Sequence, residues 1–363
     1  MDEFDGQNYT IMIYYIKMVR EVLHMTFKIQ NRRYTGCKIK LIKWIKGIIE
    51  KHCFGSESFC DIFAGTGVVT ASVSENYKKY YINDFLYSNE IIYKAFFMKA
   101  DYSESKLYRF FSKANSINCH EINDNYVSDN FGGKFFSYDD AKVIGEIRQM
   151  IENDLEFNDK ERAILITSLL YSCDRCSNTC GHYDAYIKKQ NIKSSFKFEL
   201  VEPIVKNAGD LRDFYITRKD ANQLAKEIVC DIVYIDPPYS SRQYSRFYHV
   251  LETLTKWDKP ELFGIAMKPK EENMSEYCKS KALDSFKELI YSLNCKYLVV
   301  SYNNTYDSKS NSSKNKMTLE EIQAVLENKG KTTIYRKAHK AFNAGKTDME
   351  NHEEIVFVTE VIS

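Results

Sequence analysis

The residues with the clearest chemistry stand together at Asp236-Pro237-Pro238-Tyr239, directly after the apolar run Ile232-Val233-Tyr234-Ile235. A carboxylate, two prolines and an aromatic ring at the mouth of a buried strand suit the transfer of a methyl group to the exocyclic amino group of a planar base. Such a nitrogen is a poor nucleophile, because its lone pair is delocalised into the ring. It needs acceptors for both N–H groups to hold it near-tetrahedral during attack. The Asp236 carboxylate can take one N–H and the Pro237 carbonyl the other, since proline has a fixed φ and no N–H, and its turn leaves carbonyls outside the ladder. Tyr239 offers a flat face for stacking. The plain alternative is a strand-ending turn over a half-buried tyrosine, so the motif needs support from elsewhere in the chain.

That support lies upstream. Ser58-Phe59-Cys60-Asp61-Ile62-Phe63-Ala64-Gly65-Thr66-Gly67 reads as a short strand entering a Gly-x-Gly turn that opens a helix. Glycine there tolerates positive φ and lets the backbone approach a ligand. The third glycine of the dinucleotide fingerprint is absent, with Thr70 in its place, which favours a smaller zwitterionic ligand over a pyrophosphate. Further on, the strand Tyr80-Tyr81-Ile82 runs into Asn83-Asp84, and an acidic residue at a second strand end is placed to bind ribose hydroxyls.

Glycine turn, acidic strand end and Asp-Pro-Pro-Tyr, in that order, resemble the DNA adenine methylases that use S-adenosylmethionine, in the group whose cofactor motif precedes the catalytic motif. Arg33-Tyr34-Thr35-Gly36-Cys37-Lys38-Ile39-Lys40-Leu41 is similar to the N-terminal cofactor motif of that family, with Cys37 where serine is common. Ser241 to Glu252 resembles the extension after the catalytic motif in one subgroup, and Val299 to Asn304 and His352 to Val358 resemble its late strands. The resemblance spans roughly residues 31 to 360. It implies a class I methyltransferase fold: an α/β, Rossmann-like, mixed but mostly parallel sheet with a mainly helical inserted target-recognition region. It assigns Tyr34, Gly36, Lys38, Asp61, Phe63, Gly65, Gly67, Asp84 and Asp220 to S-adenosylmethionine, and Asp236, Pro237, Pro238 and Tyr239 to catalysis. The reaction implied is methylation of adenine in a specific double-stranded DNA sequence, by base flipping and one direct displacement without metal, with a cognate restriction endonuclease as a possible partner. Cytosine in DNA, where relatives more often carry Ser in place of Asp236, adenine in RNA, and a catalytically silent nucleic-acid-binding subunit stay open as alternatives.

Composition agrees. The 363 residues are 44% hydrophobic and 28% charged, with a net charge of +1. That balance excludes a polybasic binder but not an enzyme with a local basic face. Aromatic content reaches 14%, with 27 Tyr, most of them expected in or near the core. The longest N-terminal apolar run, Ile11 to Ile16, is interrupted by Lys17 and Arg20, well short of a membrane span of about 20 residues. A cytoplasmic protein is expected, with its ten cysteines reduced. Cys173-x2-Cys176-x3-Cys180-x-His182 has the residue types of a zinc site. Its first pair continues a helical pattern instead of flanking a turn, so no metal is assigned. His182 and Tyr183 are read either as packing groups or as part of the base pocket or a DNA contact, and His249 as structural.

The organisation expected is an N-terminal extension over residues 1–30, a catalytic domain over 31–85 and 215–363, and an inserted recognition region over 86–214. Residues 1–24 are read as a poorly packed extension or a misassigned start, or as an amphipathic helix docked on the body. A first helix is read over 34–50, strands near 57–63, 79–84, 230–235, 296–301 and 354–361, and helices over 88–116, 139–153 and 158–176. Lys188, Lys189 and Lys193, in a basic aromatic run, and Arg242 and Arg246, just past the catalytic turn, are the DNA-binding candidates, with Ser308 to Lys316 as a second basic loop.

Overall fold

The computed structural model describes residues 27–188, 191–305, 315–338 and 352–362. Its frame is a seven-stranded sheet: β1 (Ser58–Asp61), β2 (Lys79–Asn83), β3 (Asp213–Thr217), β4 (Ile232–Ile235), β5 (Tyr297–Asn303), β6 (Gly330–Ala338) and β7 (Glu353–Val361). The order is β3-β2-β1-β4-β5-β7-β6. All pairings are parallel except those of β7, which runs antiparallel to both β5 and β6. The chain turns away from β1 in opposite directions to reach β2 and β4, so the crevice at the carboxyl ends of β1 and β4 is the switch point where open α/β sheets bind ligands. Register sharpens this. Asp61 lies opposite Ile82 and Tyr234, which places Asp84 and Asp236 just beyond it at the same edge.

Side-chain alternation divides the core into two layers. Phe59, Tyr80, Ile232, Tyr234, Val299, Val356 and Val358 face one apolar cluster. Cys60, Ile62, Val233, Ile235, Leu298, Val300, Ile355 and Phe357 face the other. The first layer packs under the helix Ile42–His52 and the insertion, the second under the helices Ala282–Ser292 and Leu319–Glu327.

The β2–β3 connection holds five helices, Tyr87–Phe97, Glu104–Asn115, Tyr126–Phe131, Tyr138–Asn153 and Asp159–Cys176. The last begins at a capping box in which Asn158 and Glu161 exchange side-chain and backbone bonds. It is buried round most of its circumference, which explains its weak polar–apolar segregation.

Several expectations are corrected. The N-terminal motif is not helical from residue 34. Tyr34 to Cys37 form a turn closed by Cys37 N–H to Tyr34 O at 3.2 Å, with Gly36 at φ 83°, a conformation that a helix cannot continue through. Regular helix starts only at Ile42, after a 3-10 segment at Lys38–Leu41. The pattern over 88–116 is two helices, because Ser103 caps a new start by accepting from Lys106 N–H at 3.3 Å. Phe27 and Ile29, assigned to the extension, are buried in the core, and Glu202 N–H bonds to Phe27 O at 2.9 Å. Residues 1–26 lie outside the described residues, as do Lys189 and most of the loop from Ser308 to Lys316. No helix among the described residues is long and apolar enough to cross a membrane.

Candidate active site

The ends of β1, β2 and β4 and the Tyr34–Lys38 turn enclose a cavity of about 950 Å³, open to solvent. Tyr34, Gly36, Lys38, Asp61, Phe63, Gly65, Asp84, Asp220 and all of Asp236 to Tyr239 line it. Gly67 does not. It sits behind the wall at φ 73°, where an added Cβ would meet Ile29 and Tyr93 at 3.0 and 3.2 Å.

Two carboxylates, Asp61 buried and Asp84 half-buried, stand on one side of the cavity. Asp61 accepts from Thr70 Oγ1 at 2.9 Å through Oδ2, while Oδ1 is buried without a hydrogen-bond partner. Burial, only partly offset by Thr70, pushes its pKa up to about 7. A buried acceptor left unmatched by the protein is what a cationic ligand group would satisfy. Asp84 is differently employed, accepting from Gly65 N–H at 3.0 Å, Phe85 N–H at 2.8 Å and Leu86 N–H at 3.0 Å. It thereby pins the glycine turn to the end of β2. Asp220 caps the short helix after β3, accepting from Asn222 N–H at 2.9 Å. Phe63 packs edge-on against Tyr277, with centroids 5.0 Å apart.

Asp236 stands at the end of β4 in a polar network. Lys38 Nζ lies 3.1 Å from Asp236 Oδ1 and 2.7 Å from Glu354 Oε1. The Tyr239 hydroxyl donates to Asp236 and accepts from Lys38, and its ring packs edge-on against Tyr302. Ser301 Oγ donates to Glu354 Oε1 at 2.6 Å. The side chains of Lys38, Glu354 and Asp236 are 5%, 4% and 17% exposed, so of the three the Asp236 carboxylate is the most open. Burial raises the pKa of Asp236 to about 6; Lys38 works against that shift and Glu354 adds to it. For Lys38, burial favours the neutral amine, but the two carboxylates outweigh it and raise its pKa.

An aromatic ladder sets the wall carrying Lys38. Tyr34 stacks on Tyr248 at 4.7 Å and on Tyr244 at 5.3 Å, with the Arg32 guanidinium 4.9 Å from its ring. Thr35 N–H bonds to the Tyr248 hydroxyl at 2.7 Å. The extension after the catalytic turn thus holds the N-terminal motif in place. It also holds the insertion, since Tyr183 N–H bonds to Phe247 O at 2.7 Å.

The DNA candidates are more dispersed. Lys188 and Lys193 are exposed. The Arg242 guanidinium lies 5.5 Å from the Phe247 ring, and Arg246 Nη1 donates to Pro269 O at 2.6 Å. Lys316 N–H bonds to Tyr239 O at 2.8 Å, against the Asp236–Tyr239 turn. Cys173 and Cys176 lie in one helix and Cys180 is exposed. His182 stacks on Phe247 at 4.7 Å. His249 is buried, with Nδ1 and Nε2 against the carbonyls of Arg246 and Ala266 at 3.1 and 2.8 Å. Burial lowers its pKa to about 4.

Sequence reasoning passed over Glu354, Ser301 and the Tyr244–Tyr248 ladder. A signal for Glu354 did exist. It shares the face of β7 with Val356 and Val358, an inward-pointing charge on an apolar stripe.

Sheet order, reversed last strand and the Asp-Pro-Pro-Tyr turn at the switch point define a class I methyltransferase fold. The chain belongs to the D12 class of N6 adenine-specific DNA methyltransferases, whose family model matches residues 34–305. It is similar to modification methylase LlaI of Lactococcus lactis subsp. lactis, 32% identical over 294 residues, 75% of this chain and 46% of that protein. Type II methyltransferase M.NlaIII of Neisseria lactamica is 29% identical over 333 residues, 88% of this chain and 95% of that protein. Type II methyltransferase M.FokI of Planomicrobium okeanokoites is 29% identical over 357 residues, 91% and 53% respectively. The chain therefore spans about half the length of LlaI and M.FokI and nearly all of M.NlaIII.

Proposed function

We propose that this chain transfers a methyl group from S-adenosylmethionine to the exocyclic amino group of adenine in a specific double-stranded DNA sequence. The observation that carries the reading is the Asp236 carboxylate, held at the cavity mouth beside Lys38 with the orphaned Asp61 oxygen in the same cavity. Membership of the D12 family supports the choice of adenine.

The cleft suits the cofactor in chemistry, since it combines apolar and aromatic walls with a few convergent polar groups. Asp61 Oδ1 would receive the ammonium of its methionine end and Asp84 its ribose hydroxyls, with Phe63 and Asp220 at its adenine. When bound, S-adenosylmethionine supplies an electrophilic methyl group on a sulfonium. Asp236 accepts one N–H of the target amine and the Pro237 carbonyl the other, which keeps the nitrogen lone pair directed at the methyl group. Fixing that geometry is worth on the order of 7–11 kcal/mol at best. The methyl moves in one displacement, without a covalent enzyme intermediate. The Tyr239 hydroxyl occupies Asp236 in the free protein, so the ring gives up that bond as the base enters and then stacks on it.

Reaching the pocket requires rotating adenine out of the duplex, which costs a few kcal/mol. Lys188, Lys193, Arg242 and Arg246 are the basic groups assigned to phosphate contacts, which position the duplex and weaken with salt. The type II modification names of the relatives support a place beside a restriction endonuclease reading the same sequence, in the compartment holding the cell's DNA.

The test is incubation with methyl-tritiated S-adenosylmethionine and unmethylated genomic DNA, followed by nucleoside analysis. Label in 6-methyladenine is expected. Label in 4-methylcytosine overturns the base assignment, and no label in DNA with cofactor binding retained overturns the reaction.

A further inference from the structure

We infer that Glu354 is a positioning residue for methyl transfer: it draws the Lys38 ammonium off Asp236, so that the Asp236 carboxylate is not spent on the lysine and keeps its acceptor capacity for the incoming amine. This rests on the function proposed above.

The geometry is asymmetric in the required sense. Lys38 Nζ is closer to Glu354, at 2.7 Å, than to Asp236, at 3.1 Å. Glu354 is itself anchored, because Ser301 Oγ on the neighbouring strand donates to the same oxygen at 2.6 Å. Burying a second carboxylate beside an existing ion pair is expensive, since each buried charge costs several kcal/mol to desolvate. An isolated Lys38–Asp236 pair would be cheaper to fold, but it would be neutral, with Asp236 spent on the lysine. One cation between two carboxylates leaves the cluster one negative charge in excess.

The reaction uses that excess. The nitrogen lone pair forms the N–C bond and the C–S electron pair departs with sulfur as a neutral thioether. The nitrogen, now positively charged, then loses one proton to Asp236 or solvent. Positive charge therefore moves from the sulfonium towards Asp236 as the bond forms, and a preorganised negative group there stabilises the transition state more than the ground state. Among the described residues, the groups facing the cluster are Lys38 from the N-terminal turn, Asp61 from β1, Tyr234 from β4, Tyr239 from the Asp-Pro-Pro-Tyr turn, Tyr244 from the extension after it and Ser301 from β5. Lys38 is the one cation among them.

The experiment compares Glu354→Gln, Lys38→Met and the double variant in single-turnover adenine methylation at saturating cofactor, with the cofactor Kd measured separately on each. For Glu354→Gln the inference expects the rate to fall roughly tenfold, less than the loss of a group in direct contact with the reacting atoms. Its cofactor Kd should stay within about twofold of the parent, a margin of roughly half a kcal/mol. The acid limb of its pH profile should move down, because Glu354 contributes to the raised pKa of Asp236. A merely structural role would not produce that combination.

The double variant gives the sharper sign. Without Lys38, Glu354 is only a like charge beside Asp236, so Glu354→Gln should raise the rate of Lys38→Met severalfold while lowering that of the parent. Ser301→Ala, which loosens Glu354 without removing it, should show a smaller loss in the same direction and serves if Glu354→Gln folds poorly. A parent that labels adenine while Glu354→Gln matches its rate overturns this inference alone, as do equal losses in both backgrounds. A parent that labels no adenine overturns the reading of the site and this inference with it.

Discussion

Asp61 and Asp236 end neighbouring parallel strands, line one cavity and are both raised by burial, to about 7 and about 6. Their surroundings differ. Among the described residues, Asp61 has one hydroxyl donor, an unpartnered oxygen and no cation in contact. Asp236 has a lysine, a phenol and a second carboxylate behind the lysine. The first arrangement is incomplete until something positively charged arrives. The second is already assembled and holds its charge ready for a neutral N–H donor. On the function proposed, one fold edge would carry two roles for the same side chain, and the partners, not the strand positions, would separate them.

The largest effect expected from this contrast is on catalysis. Asp236→Ala should lower single-turnover methylation on the order of 10³-fold, typical for loss of a positioned proton acceptor. Asp61→Asn should instead weaken cofactor binding about 10- to 100-fold, the worth of a charge-assisted hydrogen bond, as read by calorimetry. The same variant sharpens the comparison through pH. The native pKa of Asp61 lies above its ordinary value, so its ionisation penalty is absent below about pH 4 and fully present above about pH 7. Denaturant unfolding of the cofactor-free protein should therefore show the stability of Asp61→Asn gaining on the parent by up to about 4 kcal/mol between pH 4 and 8.

For Asp236 the acceptor is the ionised form, so kcat/KM should fall as pH drops through about 6. A profile flat down to pH 5 would break the contrast. The smallest effect belongs to the scaffold. Tyr248→Phe removes the hydroxyl that Thr35 N–H bonds at 2.7 Å and should cost about 1 kcal/mol of stability, with little change in kcat.

Local features were legible in the sequence. The Gly65-x-Gly67 turn, Asp84 and the Asp236 turn each follow an apolar run, and each does stand at a strand end on one cavity edge or directly behind it. β1, β4, β5 and β7 could be read because strands buried on both faces are largely apolar runs, and β2 from its aromatic and branched residues. The edge strand β3 is half exposed and short, and its alternation was lost at the end of a long insertion. The pairings that tune the site were invisible for another reason. Lys38 and Glu354 are separated by 316 positions, and Thr35 and Tyr248 by 213. No spacing rule connects them; only the sheet order, which brings β7 next to β5, does. Glu354 by itself was readable as an inward charge on β7, but its partner was not.

The division of labour between the two carboxylates is tested most directly by measuring cofactor Kd and single-turnover methylation side by side for Asp61→Asn and Asp236→Ala. The account predicts a crossed result. Asp236→Ala should bind S-adenosylmethionine like the parent and transfer almost nothing, while Asp61→Asn should bind it weakly and approach the parental rate at saturation. Two variants that lose binding and transfer together, or an Asp236→Ala that still methylates adenine at the parental rate, would contradict it.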